Sequence, residues 1–146
     1  MKNFSHPLMH NNITNSDVTS LISFLKNNKK RIFTQSTKVL EFEKKWSKWL
    51  GTKYSIFVNS GSSANLLTLQ ALKIIYGKGE VIVPPLTWIS DVASVIQNDF
   101  KPVFADINPK TLCMDENQII RKINRNTKAV FITHVQGFNG LSKKLL

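Results

Sequence analysis

Apolar residues return at helical spacing over residues 15–28, where Val18, Leu21, Ile22 and Leu25 share a face and Asn15, Ser16 and Asp17 all offer N-caps. Residues 37–50 repeat the pattern with Val39, Phe42, Trp46, Trp49 and Leu50, and Gly51 is placed to end that helix. A third helix is predicted over 63–76, burying Leu66, Leu67, Leu69, Leu72, Ile74 and Ile75 before Gly77 closes it. Two shorter helices are predicted at 89–97 and 115–124. Asp115 and Gln118 form a capping-box signature at the start of the second. Short apolar runs at 54–58, 81–83, 102–105 and 129–133 are bounded by turn formers and predict strands, with Pro84 and Pro85 stopping the second. The basic, polar stretch 26–31 predicts an exposed turn.

From Val39 onward, helix and strand signals alternate, which predicts an α/β domain with a mostly parallel sheet. A length of 146 residues with 42% hydrophobic content suits one domain with a core. Twenty Lys and Arg against nine Asp and Glu give a formal charge of +11, which favours anionic partners. The basic residues are scattered, however, and no recognition helix, zinc module or aromatic stacking module accompanies them. A solvated surface is therefore expected, without nucleic acid.

Cys113 is the single cysteine, so neither an intrachain disulfide nor a cysteine metal cluster can form. His6, His10, His134 and Cys113 show no metal-ligand spacing. Residues 1–12 lack the apolar core of a signal peptide, and no apolar run reaches the roughly 20 residues needed to span a bilayer. The expected location is the cytoplasm, with no membrane partner.

In an open parallel sheet, ligands collect where strands end and helices begin. Four segments meet that condition. The run Asn59, Ser60, Gly61, Ser62, Ser63, Ala64, Asn65 precedes a helix, where free amides and the helix dipole favour an anion. An ordinary Ser/Gly turn with an N-cap reads the same way. Trp88 follows a strand end and offers a flat surface for stacking on a planar ring, or else packs in the core. Asp106 sits at a strand terminus, as a hydrogen-bonding partner for a ligand or as a turn cap. His134 follows the last strand and is either an acid, base or donor, or part of the scaffold.

Together these segments resemble the sugar aminotransferases of the DegT/DnrJ/EryC1/StrS type. The matching order begins with Phe33, Thr34 and Gln35, then Leu40 to Glu43, then Val58 to Leu66. Val81 to Trp88, Lys101 to Asp106, and Thr133 with His134 complete it. The resemblance runs from about Arg31 to Gly140. It implies the large domain of a fold-type-I transferase dependent on pyridoxal 5'-phosphate (PLP), with residues 1–32 as an N-terminal helical segment and 33–146 as the first part of the cofactor-binding domain.

The resemblance further implies that Gly61, Ser62 and Ser63 hold the cofactor phosphate and that Trp88 stacks on its ring, with Asp106 and His134 near the site. The implied substrates are a nucleotide-linked keto-sugar and glutamate, in surface polysaccharide or lipopolysaccharide synthesis by a homodimer. One branch of the family replaces the Schiff-base Lys with His and acts as a 3-dehydrase; the run from Asn59 to Asn65 resembles that branch as well. In either branch the Schiff-base residue is expected beyond Leu146, and Lys128, Lys143 and Lys144 do not lie in the family's lysine motif. The chain is therefore expected to hold the first four of seven strands, to lack catalytic activity alone, and to be a fragment or a non-catalytic remnant.

Overall fold

The computed structural model describes residues 11–29 and 31–146, so His6 and His10 lie outside the described residues. The chain divides into two compact units between Phe57 and Val58. The first contains α1 (Asn15–Asn27) and α2 (Thr37–Leu50). The cap of α1 is Thr14, one residue ahead of the three predicted, and it forms a capping box with Asp17. Thr14 Oγ1 accepts from the Asp17 amide while the Asp17 carboxylate accepts from the Thr14 amide at 2.8 Å, so two orphan donors are satisfied at once. That hydrogen bonding keeps the Asp17 carboxyl below the usual aspartate range.

Ser36 caps α2, and Gly51 ends it in the left-handed conformation that a glycine adopts without strain. Its apolar stripe carries an aromatic row. Phe42 stacks on Trp46 at 5.9 Å, Trp46 meets Trp49 at 4.9 Å, and Phe57 meets Phe42 edge-on at 5.4 Å.

The predicted strand at 54–58 does not form. Its residues take no regular secondary structure, no described strand pairs with them, and the Phe57 amide donates instead to Glu43 Oε1 at 2.8 Å. Tyr54 and Ile56 stay 77% and 80% exposed, so the apolar run was legible but the ladder that makes a strand is missing.

The second unit contains α3 (Gly61–Tyr76), β1 (Glu80–Val83), α4 (Ile89–Gln97), β2 (Lys101–Phe104), α5 (Glu116–Lys122) and β3 (Thr127–Val130). The three strands are parallel in the order β2-β1-β3, so β1 is central. That position explains its composition: Val81, Ile82 and Val83 are fully buried because both faces of a parallel strand are covered. Alternation sends Val81 and Val83 to one side, with Leu69, Val95 and Phe100. Ile82 points to the other, with Ala105, Met114 and Ile119. Each such aliphatic side chain contributes roughly 1.5–3 kcal/mol by leaving water.

Of the α3 residues predicted to be buried, only Leu69 is; Leu72 packs beside it, while Leu66, Leu67, Ile74 and Ile75 are exposed. One sheet face covers about one stripe of a helix, and α3 is apolar on more than one. Asp115 caps α5 by accepting from the amides of Asn117 and Gln118, but the predicted capping box does not close, because the Asp115 amide donates to the Asp106 carbonyl at 2.8 Å.

Candidate functional site

Because the strands are parallel, their carboxyl ends lie at one edge, and the segments carrying Trp88, Asp106 and His134 all leave from it. The run preceding α3 supplies the helix terminus. Ser60 is the N-cap, with extended backbone at φ −161° and ψ 161°. Its hydroxyl accepts from the Ser63 amide at 3.2 Å, and its carbonyl accepts from the Ala64 amide at 3.1 Å. Ser63 Oγ donates to Asn59 Oδ1 at 2.7 Å. Among the described residues, the Gly61 and Ser62 amides meet no acceptor, so the first turn keeps two open donors. Gly61 is not there to permit a left-handed turn: its φ is not positive, and an added Cβ would meet nothing within 4 Å.

Trp88 is the N-cap residue of α4 and makes no side-chain cap bond. Its indole is 80% exposed, which is not core packing. Leu86, Thr87, Trp88, Thr133, His134, Val135 and Gln136 line a depression of about 370 Å³, which brings Trp88 and His134 together. His134 Nδ1 accepts from the Gly140 amide at 3.0 Å, so the neutral ring carries its proton on Nε2 and presents a donor there. Asp106 is held apart. It is exposed, Oδ1 accepts from the Ile107 amide at 2.8 Å, and it does not line the depression.

Sequence reasoning missed the residue on which these segments converge. Asp91, in the first turn of α4, is 6% exposed. Its Oδ1 accepts from Asn65 Nδ2 of α3 at 2.7 Å, and its Oδ2 accepts from the Thr87 hydroxyl. Thr133 Oγ1 lies 2.7 Å from Thr87 Oγ1 and 3.3 Å from Asp91 Oδ2. A signal was available: Asp91, Ser94, Val95 and Asn98 share one helical stripe, and all four are buried. A carboxylate on the buried stripe of an apolar helix needs partners, and here they are Asn65, Thr87 and Thr133.

In this α/β fold an exposed indole and an imidazole donor share a depression at the carboxyl edge of a parallel sheet, where ligands collect, while Gly61, Ser62 and Ser63 do not line it. Comparison with known proteins narrows the class. The chain belongs to the DegT/DnrJ/EryC1/StrS aminotransferase family, whose profile matches residues 12–140. It is 36% identical over 111 residues to a GDP-4-keto-6-deoxy-D-mannose 3-dehydratase of Yersinia pseudotuberculosis, an overlap of 73% of this chain and 28% of that protein. It is 38% identical over 96 residues to the GDP-perosamine synthase of Vibrio cholerae, covering 66% of this chain and 26% of that one.

A solved GDP-4-keto-6-deoxymannose-3-dehydratase with a trapped PLP-glutamate geminal diamine superposes with a TM-score of 0.77 at 30% identity, over 88% of this chain and 34% of that one. The fold is thus the three-stranded part of a fold-type-I PLP enzyme with its flanking helices. The chain spans only about a quarter to a third of the length of these relatives.

Proposed function

We propose that this chain forms the phosphate- and ring-binding part of the PLP site of a sugar aminotransferase acting on a nucleotide-linked keto-sugar, with glutamate as amino donor. The observation that carries the reading is the pair of open amides at Gly61 and Ser62, in the same unit as the exposed indole of Trp88. The donor set fits the cofactor: the Gly61 and Ser62 amides and the Ser62 hydroxyl meet a phosphate, the Ser63 hydroxyl is committed to Asn59, and the indole face covers a ring. His134 Nε2–H offers a donor to a ring substituent, while Asp106 stabilises its own turn. When bound, the cofactor supplies an electron sink for amino-group chemistry at a keto carbon. The residues described here bind and orient it.

A second reading, the 3-dehydrase, is favoured by the Yersinia relative and by the run from Asn59 to Asn65. It uses the same binding residues. Surface-polysaccharide synthesis, a homodimeric parent and a cytoplasmic location complete the proposal. They rest on the family resemblance; among the described residues no helix is long and apolar enough to cross a membrane. Titrating the chain with pyridoxamine 5'-phosphate and with pyridoxamine tests the binding role. Saturable binding that requires the phosphate is expected, and equal binding of both compounds would overturn it.

A further inference from the structure

We infer that Asp91 is a positioning residue: its buried carboxylate fixes the two strand-end segments that carry Trp88 and His134, and ties both to the first turns of α3. The inference rests on the cofactor-site reading for its ligand, but its geometry stands by itself. A carboxylate that is 6% exposed needs hydrogen-bond donors, and it has no cationic partner among the described residues. Its donors come from three places in the chain. Asn65 reaches it from α3, Thr87 from the segment after β1, and Thr133 from the segment after β3.

The protons in this cluster have a direction. A carboxylate only accepts, so Thr87 donates its single hydroxyl proton to Asp91 Oδ2. Thr133 then donates to Thr87 Oγ1 at 2.7 Å, its shorter contact, with Asp91 Oδ2 further away at 3.3 Å. A one-way chain therefore runs from Thr133 through Thr87 to Asp91. Thr87 immediately precedes Trp88, and Thr133 immediately precedes His134, so each bond fixes the backbone from which a ring departs into the depression. The Asp91 amide also donates to the Trp88 carbonyl at 3.0 Å, which holds the indole-bearing residue from its other side. The α4 dipole favours the negative charge, so the clamp needs no counter-ion.

This arrangement is more than packing. Asn98 already joins α4 to α3, its Nδ2 donating to the Leu66 carbonyl at 3.2 Å as well as to the Ser94 carbonyl of its own helix at 2.8 Å. Helix docking alone does not require Thr87 or Thr133.

The experiment uses the whole chain, labelled with ¹⁵N. The Trp88 indole resonance (assigned with Trp88→Phe) and the Gly140 amide resonance report the two segments, and pyridoxamine 5'-phosphate reports the site. Asp91→Ala, which removes the acceptor of the chain, and Thr133→Val, which removes its first donor, are expected to shift or broaden both resonances and to weaken binding about tenfold. Thr133→Ser, which keeps the hydroxyl, is expected to restore both readouts. Ile119→Val, on the other sheet face, is a destabilised control expected to leave them alone.

If wild type binds and Trp88→Ala weakens binding while Asp91→Ala does not, the positioning role is wrong and the cofactor site stands. If wild type does not bind, the cofactor reading fails for this chain and the resonances decide. Unmoved Trp88 and Gly140 signals in a folded Asp91→Ala protein overturn the inference; moved signals uphold it.

Discussion

Ser60 Oγ lies 3.2 Å from both the amide nitrogen and the hydroxyl of Ser63, so one serine closes the first turn of α3 on the next but two. The pairing divides the donors of that turn. Ser63 spends its amide on the cap, and Gly61 and Ser62 keep theirs. Ser60→Ala is expected to cost about 1 kcal/mol by removing the cap. It also releases the Ser63 amide as a third open donor, so affinity for pyridoxamine 5'-phosphate should not fall. Thermal melts and a binding titration on the same variant check both halves. A parallel loss of affinity would make Ser60, rather than the amides, the phosphate contact.

Gly61 allows a cleaner separation of binding from folding. It is the first helical residue, its φ is not positive, and an added Cβ meets nothing. Ser60 before it has the extended backbone that a following proline requires. Gly61→Pro should therefore fit, since proline is favoured at the first helical position and restricts the unfolded chain. The expected outcome is an unchanged or raised Tm with weaker pyridoxamine 5'-phosphate binding, because only the amide proton is lost. Gly79 is the opposite case: a Cβ there would fall 2.5 Å from the Asn126 carbonyl oxygen, so Gly79→Ala should lower Tm sharply.

The sequence was most informative where a residue's role is local. The caps Gly51 and Asp115, the bounds of α2 and the buried centre of β1 follow from spacing and turn chemistry, and the structure has them. What failed was whatever depends on a neighbour. Residues 54–58 have strand composition and no ladder, and Ile74 and Ile75 have helical spacing but nothing above them. The site divided in the same way. As candidates, Trp88 and His134 were legible from the ends of strands and Gly61 and Ser62 from the start of a helix, whereas the part Asp91 plays rests on Asn65 and Thr133, 26 and 42 positions away.

Glu80 predicts a pH dependence. At the start of β1, its carboxylate accepts from Asn124 Nδ2 at 2.8 Å and pairs with Lys101 Nζ at 3.1 Å, bridging the segment before β3 to β2. The Asn124 hydrogen bond, then the Lys101 ammonium, hold its carboxyl below the usual glutamate range. A lowered folded pKa means that the contribution is complete above the unfolded value, about 4.3, and is lost as pH falls through the folded one. Glu80→Gln should therefore melt lower than wild type at pH 7, and the two curves should converge on acidification. A gap that persists below pH 3 would assign the effect to shape instead of charge.

Trp88 decides between the two fates open to it in the sequence. A tryptophan in the core would make Trp88→Ala one of the most damaging substitutions in the chain, at about 3–5 kcal/mol. At 80% exposure, with no side-chain cap bond on α4, the same change should move stability by no more than about 0.5 kcal/mol. The indole's surface is instead available to a planar ring, an interaction worth about 0.5–1.5 kcal/mol beyond burial. Trp88→Ala should thus weaken pyridoxamine 5'-phosphate binding at least twofold to tenfold with Tm nearly unchanged, and Trp88→Phe should recover part of the loss. Melting and titration of the three proteins check it: a large fall in Tm would return Trp88 to the fold, and unchanged affinity in a stable protein would remove it from the site.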